Sequence, residues 1–325
     1  AALFFAAISG SGTATVAAMG SILIPAMAAQ GYDAGFSSAL SAISGSLGTV
    51  IPPSITFIIY GMITGESIGD LFLSGIVPGL IFGFMLCIMV FIKSKKNGWK
   101  GDTQRASLKE IGRLFLDTIW GLLSPVIVLG GIYSGLFTPT EAAAVAVVYS
   151  LIVGIFIYKE LRLTELKETL FSTAKTTGMI LLIIMNAGIF SWVLTQQGIA
   201  ASLTEMALAL TDNRYIMLFI INIVFLCAGC VMDNTSALYI LVPIIMPIAK
   251  ALDINMIQLG VILVLNLSIG QVTPPVGPNL YVAADIGKVK FEEICRRMVP
   301  LLLMSLLALL CITYIPALSL CLIPS

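Results

Sequence analysis

The chain has 325 residues, of which 58% are apolar and only 10% charged, and its mean hydropathy is +1.05. Soluble domains carry about 45–50% apolar and about 25% charged residues, so the composition excludes a soluble globule and implies an integral membrane protein. Seventeen basic and seventeen acidic residues cancel, no footprint for nucleic acid is present, and the absence of histidine removes imidazole catalysis, His-ligated metals and axial haem histidine together.

In chain order, the first apolar element, 1–30, reads as two short arms around the polar tip "SGSGTAT" at 9–15; the chain opens inside this apolar run, without the basic region of a cleavable signal. An interrupted span follows at 35–64, broken by "GSLGTVIPPS" at 45–54. Continuous spans are expected at 71–92, 113–136, 139–158 and 170–195, each near the ~20 residues that cross ~30 Å of hydrocarbon. A second two-armed element at 214–250 surrounds "MDNTSA" at 232–237; then come an interrupted span at 258–285, broken by "LSIGQVTPPV" at 267–276, and a last span at 297–320. Alternating barrel strands are absent, so spanning is helical. The arms of both two-armed elements look short for a full crossing. The expected form is therefore a re-entrant hairpin with a protein-buried tip, the alternative being two crossings joined by a tight turn.

Minor features carry bland readings. "TPTE" spells a capping box with Thr138 as N-cap, Pro139 at N1 and Glu141 at N3. Asn186 and Ser191, in an apolar helix, serve either as interhelical glue or as ligands. "SLKEIGRLFLDTIWGLL" at 107–123 is amphipathic and suits a helix at the cytoplasmic interface beside a fixed scaffold. The cysteines, including the lone Cys227/Cys230 pair, read as small buried hydrophobes.

Charge placement orients the chain. Fifteen of the seventeen basic residues fall on the loops 93–113, 159–175 and 288–297, which positive-inside reasoning makes cytoplasmic. All three share one side only if neither hairpin makes a net crossing. The first hairpin then enters from the cytoplasm, the second from the opposite side, and the C-terminus ends outside.

A gapless offset of 222 superposes the two interrupted regions: Thr13 falls on Thr235, Pro25 on Pro247, Ser46 on Ser268, Gly48 on Gly270, Pro52 and Pro53 on Pro274 and Pro275, and Gly65 on Gly287. An odd number of crossings separates them, so the repeats are inverted, the pattern of a secondary transporter with a central site. Proline removes a backbone donor and clashes with the preceding turn, so each interrupted helix should divide in two around an extended segment. Its exposed carbonyls and helix ends are tolerated only where they line a polar site; carbonyls suit Na⁺ and half-helix N-termini suit a carboxylate. By the same symmetry, helices equivalent to those before the second hairpin, roughly 110 residues, are expected ahead of Ala1.

With "SGSGTATVAAMG", "GSLGTVIPPS", "FTPTEAAAVAVVYSL", "MDNTSALYILVPIIMPIAKALDIN" and "TPPVGPNLYVAADI", the sequence resembles the large membrane subunit of TRAP (tripartite ATP-independent periplasmic) transporters. The resemblance implies an all-α polytopic protein of two inverted repeats with hairpins and discontinuous helices, working by an elevator mechanism in the bacterial inner membrane. It also implies Na⁺ as coupling ion with no other cofactor, a small membrane subunit and a periplasmic substrate-binding protein as partners, and an organic-acid substrate of the C4-dicarboxylate or sialic acid type. Residues 1–104 and 197–325 would form the transport unit and 105–196 the scaffold.

Residue by residue, one Na⁺ is expected at Ser9, Ser11, Thr13, Ser46, Gly48 and Pro52, partly through main-chain carbonyls, and a mirror site at Asp233, Asn234, Thr235, Ser268, Gly270 and Thr273. Asp233 is the sharpest candidate, with capping of the second arm as its alternative role. The substrate is placed between the tips, near Ser11, Gly12, Thr49, Pro53 and Asn234, with Asn279 beyond the second break. No arginine lies at membrane depth to clamp an anion. The rival readings are a single-component Na⁺/dicarboxylate carrier, a membrane enzyme or redox subunit, and a passive channel.

Overall fold

A computed structural model describes residues 1–99 and 107–323, and every regular element among them is helical. In chain order they are α1 (Ala2–Ser9), α2 (Gly12–Ala29), α3 (Ala34–Ser46), α4 (Ile55–Thr64), α5 (Ile68–Asn97), α6 (Leu108–Tyr133), α7 (Pro139–Ile152), α8 (Leu163–Gln196), α9 (Ile199–Leu210), α10 (Arg214–Val231), α11 (Asn234–Ala251), α12 (Met256–Gly270), α13 (Pro278–Gly287), α14 (Phe291–Tyr314) and α15 (Ala317–Leu320). Eight of the described helices are long and apolar enough to cross a membrane: α2, α5, α6, α7 with the π-turn that follows it, α8, α10, α11 and α14. The protein is an all-α, multi-pass membrane protein. It divides into two compact units, one of Ala1–Asp102 with Phe190–Ser325, the other of Thr103–Ile189.

Within the first unit the offset of 222 recurs in the helix boundaries. α2 and α11 coincide at both ends, α1 and α10 end together, and α3 and α12 start together. Each interrupted helix is broken as proline chemistry requires. α3 ends at Ser46, passes through a 3₁₀ turn over Leu47–Thr49, and the chain resumes as α4 at Ile55, with the Ser54 hydroxyl accepting from Phe57 N at 3.4 Å. α12 ends at Gly270 and α13 begins at Pro278. The Pro52–Pro53 and Pro274–Pro275 bonds are both cis.

Contacts fix the direction of these segments. At one end of the unit, Trp99 packs against Tyr32 and Phe36 with ring centroids 5.0 and 5.1 Å apart, and Arg297 pairs with Asp33 at 2.8 Å. The base of the first hairpin, the start of α3, the chain just after α5 and the first turns of α14 therefore lie together. At the other end, Tyr60 Oη donates to Met256 O at 2.6 Å, Gln258 Nε2 to Thr313 O at 3.1 Å, and Tyr314 Oη to Tyr215 O at 3.3 Å. So α3 and α4 run from the first end to the second. α12 and α13 run back, bringing Gly287 against Ser38 and Ile24. Equivalent segments have opposite directions, and the two hairpins open at opposite ends. α12 is the axis of this unit, with Gln258 to Gly270 all buried; a helix apolar nearly all round needs such enclosure.

The second unit packs α6 on α7, with Tyr149 Oη donating to Trp120 O at 2.7 Å and Gly121 N to Tyr158 Oη at 3.2 Å. The capping box is present: Thr138 N donates to Glu141 Oε2 at 2.8 Å and Glu141 N to Thr138 Oγ1 at 3.3 Å. Asn186 Nδ2 bonds Leu182 O of its own helix at 2.7 Å.

Three expectations are modified. The amphipathic stretch 107–123 is not a separate interfacial helix but the first half of the continuous 26-residue α6. That helix spans ~39 Å and exceeds the ~30 Å hydrocarbon core by about two turns, and its first two turns hold Lys109, Glu110 and Arg113. The arms α2, α10 and α11 have 18 residues each, ~27 Å of helix, so arm length does not separate a hairpin from two crossings. Finally, α9 was not foreseen; it packs on α11.

Asp33 caps α3, its Oδ1 accepting from Phe36 N at 2.8 Å, while Oδ2 takes Arg297. Asp33→Ala should cost about 1 kcal/mol through the lost cap. Asp33→Asn keeps the cap and loses only a half-exposed ion pair, costing less than ~0.5 kcal/mol; thermal unfolding in detergent compares the two.

Candidate functional site

The two breaks and the first hairpin tip meet at the centre of the first unit. α1 ends on Gly10 in the left-handed region (φ 63°), where glycine is favoured, and Ser11 starts α2 in extended conformation. The tip lies directly on the first break. A Cβ on Gly48 would sit 2.5 Å from Thr15 Oγ1 and 2.7 Å from Ser11 O, and one on Gly10 would sit 2.9 Å from Pro53 O. Around the Ser11 carbonyl, Thr15 Oγ1 donates at 2.7 Å and Ser9 Oγ at 3.2 Å, while the Ser11 and Thr13 hydroxyls stand 3.4 Å apart. Ser9, Ser11, Thr13, Gly48 and Pro53 are thus gathered, and Pro52 is buried beside them.

The breaks are joined to each other by side chains. The hydroxyls of Thr49 and Ser268 share a hydrogen bond, and Asn279 Nδ2 donates to Ser46 Oγ at 3.0 Å and to Gln271 Oε1 at 3.3 Å. Ser46 and Ser268, equivalent by the repeat, are each bonded to the opposite repeat. Gly12 packs against Gln271 and Asn279, so the first tip touches both breaks.

The second tip is held to its own break by backbone. A Cβ on Gly270 would lie 2.5 Å from Gly229, and Val276 N donates to Cys230 O at 3.2 Å. Thr273 Oγ1 donates to Ile269 O at 2.8 Å. Asp233 is exposed and caps α11, its carboxylate accepting from Ser236 N at 3.1 Å and Ser236 Oγ at 2.5 Å. Asn234 is only 7% exposed, yet neither its amide nitrogen nor its oxygen has a protein partner; Asn279 Oδ1, fully buried, has none either. The structure shows no hydrogen bond from Thr235 to the second break.

The chemistry of this centre is neutral. The described buried polar residues are all Ser, Thr, Asn and Gln, and the described residues contain no cluster of His, Cys, Asp and Glu fit for a metal. Hard uncharged oxygens of this kind suit an alkali cation, whereas borderline metals select nitrogen and sulfur. Sequence reasoning passed over Thr15, Gln271 and a buried amide ladder: Asn266 Nδ2 donates to Asn222 Oδ1 at 2.7 Å, and Asn222 Nδ2 to Thr313 Oγ1 at 3.1 Å. The available signal was an amide within an apolar run, which must find a partner when buried.

Two antiparallel broken helices joined at a neutral polar centre and flanked by helical hairpins define a multi-pass helical membrane protein. The profile of the tripartite ATP-independent periplasmic transporter, DctM component, matches residues 1–318, and the chain belongs to this family. It is 43% identical over 322 residues to the C4-dicarboxylate TRAP transporter large permease protein DctM of Pseudomonas aeruginosa, covering 99% of this chain and 75% of that protein. It is 36% identical over 320 residues to the sialic acid TRAP transporter large permease protein SiaM of Vibrio cholerae, covering 98% and 75%. It is also 43% identical over 315 residues to the isethionate TRAP transporter permease protein DctMQ of Oleidesulfovibrio alaskensis, covering 97% of this chain but half, 50%, of that relative.

Gly48 and Gly270 admit no side chain without moving backbone, whereas Gly135, at φ 73°, meets open space. Gly48→Ala and Gly270→Ala should each destabilise by roughly 1–3 kcal/mol or more through overpacking, against about 1 kcal/mol for the purely conformational Gly135→Ala. Melting curves of the purified variants rank them.

Proposed function

We propose that this protein is the large permease of a Na⁺-driven TRAP uptake system of the bacterial inner membrane. It would carry a small organic anion delivered by a periplasmic binding protein and work with a small membrane subunit. The observation that carries the reading is the junction of the two breaks, where Thr49 meets Ser268 and Asn279 meets Ser46 across the repeats. Unsatisfied backbone at helix breaks is tolerated in a membrane where it lines a transport site.

In this reading the hairpins are re-entrant. The end that holds Trp99 and Arg297 is cytoplasmic, because these residues belong to two of the basic loops; the C-terminus is then periplasmic. One Na⁺ is held by the Ser9–Ser11–Thr13 tip with Ser46, Gly48 and Pro52. A second is held by Asp233, Asn234 and Thr235 with Ser268, Gly270 and Thr273. Asp233 has lone pairs beyond the two that Ser236 uses, so capping and ion binding are compatible. The substrate lies at Ser11, Gly12, Thr49, Pro53, Asn234 and Asn279. The described buried residues include no cation, so the anion is held by hydroxyls, by the N-termini of α2, α4 and α11, and by the bound Na⁺. Na⁺ binding completes the tips, and the loaded first unit crosses against the second as an elevator, since an unneutralised polar centre resists exposure to lipid. The relatives' names span a sulfonate, C4-dicarboxylates and a sugar acid; a small organic acid is the class proposed here.

Proteoliposomes of the assembled transporter should accumulate labelled C4-dicarboxylate or sialic acid only with both a Na⁺ gradient and the binding protein. Uptake indifferent to the binding protein would instead identify a single-component carrier. Asp233→Asn, which preserves an N-cap, should raise the half-saturating Na⁺ concentration roughly tenfold, ~1.4 kcal/mol, at unchanged melting temperature. An unchanged Na⁺ dependence would assign Asp233 to the cap alone.

A further inference from the structure

Gln271 belongs to neither proposed ion site, yet it stands where the two repeats and the first tip converge. Its backbone spans the second break: its N–H donates to Leu267 O at 3.0 Å and its carbonyl accepts from Asn279 N at 3.2 Å. Its side chain touches both repeats. Oε1 accepts from Asn279 Nδ2 and rests against Gly12, so closely that a Cβ on Gly12 would overlap it. The same Asn279 amide donates to Ser46 Oγ. A continuous contact therefore runs from the first tip through Gln271 and Asn279 to the first break. Gln271 and Asn279 are both buried, so alternative partners from water are few.

The residue equivalent to Gln271 by the offset of 222 is Thr49, and Thr49 makes the other crossing, to Ser268. The two serines proposed as ion ligands are thus each tied to the opposite repeat, Ser268 directly by Thr49 and Ser46 by Asn279, whose amide also donates to Gln271, the counterpart of Thr49. Ser46 Oγ has one lone pair for the Asn279 amide and one for a cation. A cation there fixes the hydroxyl, which fixes Asn279, which fixes Gln271 and the tip residue Gly12.

We infer that Gln271 is a positioning residue that couples the two ion sites, so that Na⁺ at the first break favours Na⁺ at the second and closure of the first tip. The inference rests on the proposed reading of Ser46 and Ser268 as ion ligands. Coupling of this kind is a binding free energy shared between sites, and it shows as a Hill coefficient above one.

The test is Na⁺ activation of uptake by the assembled transporter, with Na⁺-induced stabilisation of the purified protein as a transport-independent readout. Wild type should give a Hill coefficient above one. Gln271→Met, similar in length but without the amide, should bring it to one and raise the half-saturating Na⁺ concentration roughly fivefold, the scale of one buried hydrogen bond; Gln271→Glu, which keeps the acceptor, should retain a coefficient above one. Gly12→Ala should impair Na⁺ binding through its overlap with Gln271, and the added Gln271→Ser should relieve the overlap, bringing the midpoint down to that of Gln271→Ser alone. A Hill coefficient and midpoint unmoved by Gln271→Met overturn the inference while leaving the transport reading intact. So does a wild-type coefficient of one. Should Gln271→Met fail to fold, a Gly12→Ala defect that Gln271→Ser does not relieve overturns it. Uptake without any Na⁺ dependence overturns both readings and is recognised in wild type alone.

Discussion

The constraint on which the structure depends is the satisfaction of backbone where a helix is interrupted. Each break frees carbonyls and amides that in an apolar surrounding cost several kcal/mol apiece when unpaired. Here the partners are supplied by a second interruption and by a hairpin tip. Gly10 O receives Ile55 N, Cys230 O receives Val276 N, and Ser54 Oγ donates back to Thr49 O. Partnership between backbones requires approach without side chains, which is why glycines occupy the contacts: Gly48 beneath the Ser11 carbonyl, Gly12 against Gln271, and Gly270 on Gly229. The Gly- and Pro-rich punctuation of the sequence is the local cause of each break and also the condition that lets another chain segment close over it.

That dual role explains what could be read in the chain beforehand. The breaks at Pro52–Pro53 and Pro274–Pro275 and the capping box at Thr138–Glu141 follow from chemistry within a few residues, and the structure places them where the sequence did. The pairs that join the breaks do not. Thr49 and Ser268 lie 219 residues apart, Ser46 and Asn279 lie 233 apart, and only the folded arrangement selects these hydroxyls from the many in the chain. Gln271 sat inside a quoted motif and was passed over because the prolines beside it offered a sufficient account of that motif. α9 was missed because a short helix leaves no span-length signal, and the amphipathic start of α6 looked separate because its charges obscured a helix that continues through them.

The repeat preserves backbone more faithfully than it preserves charge, and the difference has a physical sense. Asp33 and Asn255 occupy equivalent positions and do the same local work, each accepting a backbone N–H to start a helix. Asp33 also holds Arg297, whose counterpart at the offset is Gly75, and Phe36, which meets Trp99, has as its counterpart the buried Gln258 bonded to Thr313 O. One end of the first unit is therefore secured by an ion pair and stacked aromatics, the other by amides shut away from solvent. In a bilayer the two ends of an inverted pair face different compartments, and basic residues are retained on one side. A capping position tolerates aspartate or asparagine equally, so charge could diverge there without disturbing the helix start. The breaks had no such freedom: a charge buried among neutral hydroxyls and amides would need its own partner, and Ser46 with Ser268 and Gly48 with Gly270 remain identical across the repeat. The ion pair and stacked aromatics are thus kept to one end, and neutral polar chemistry is kept at the breaks, where two interrupted backbones must satisfy one another.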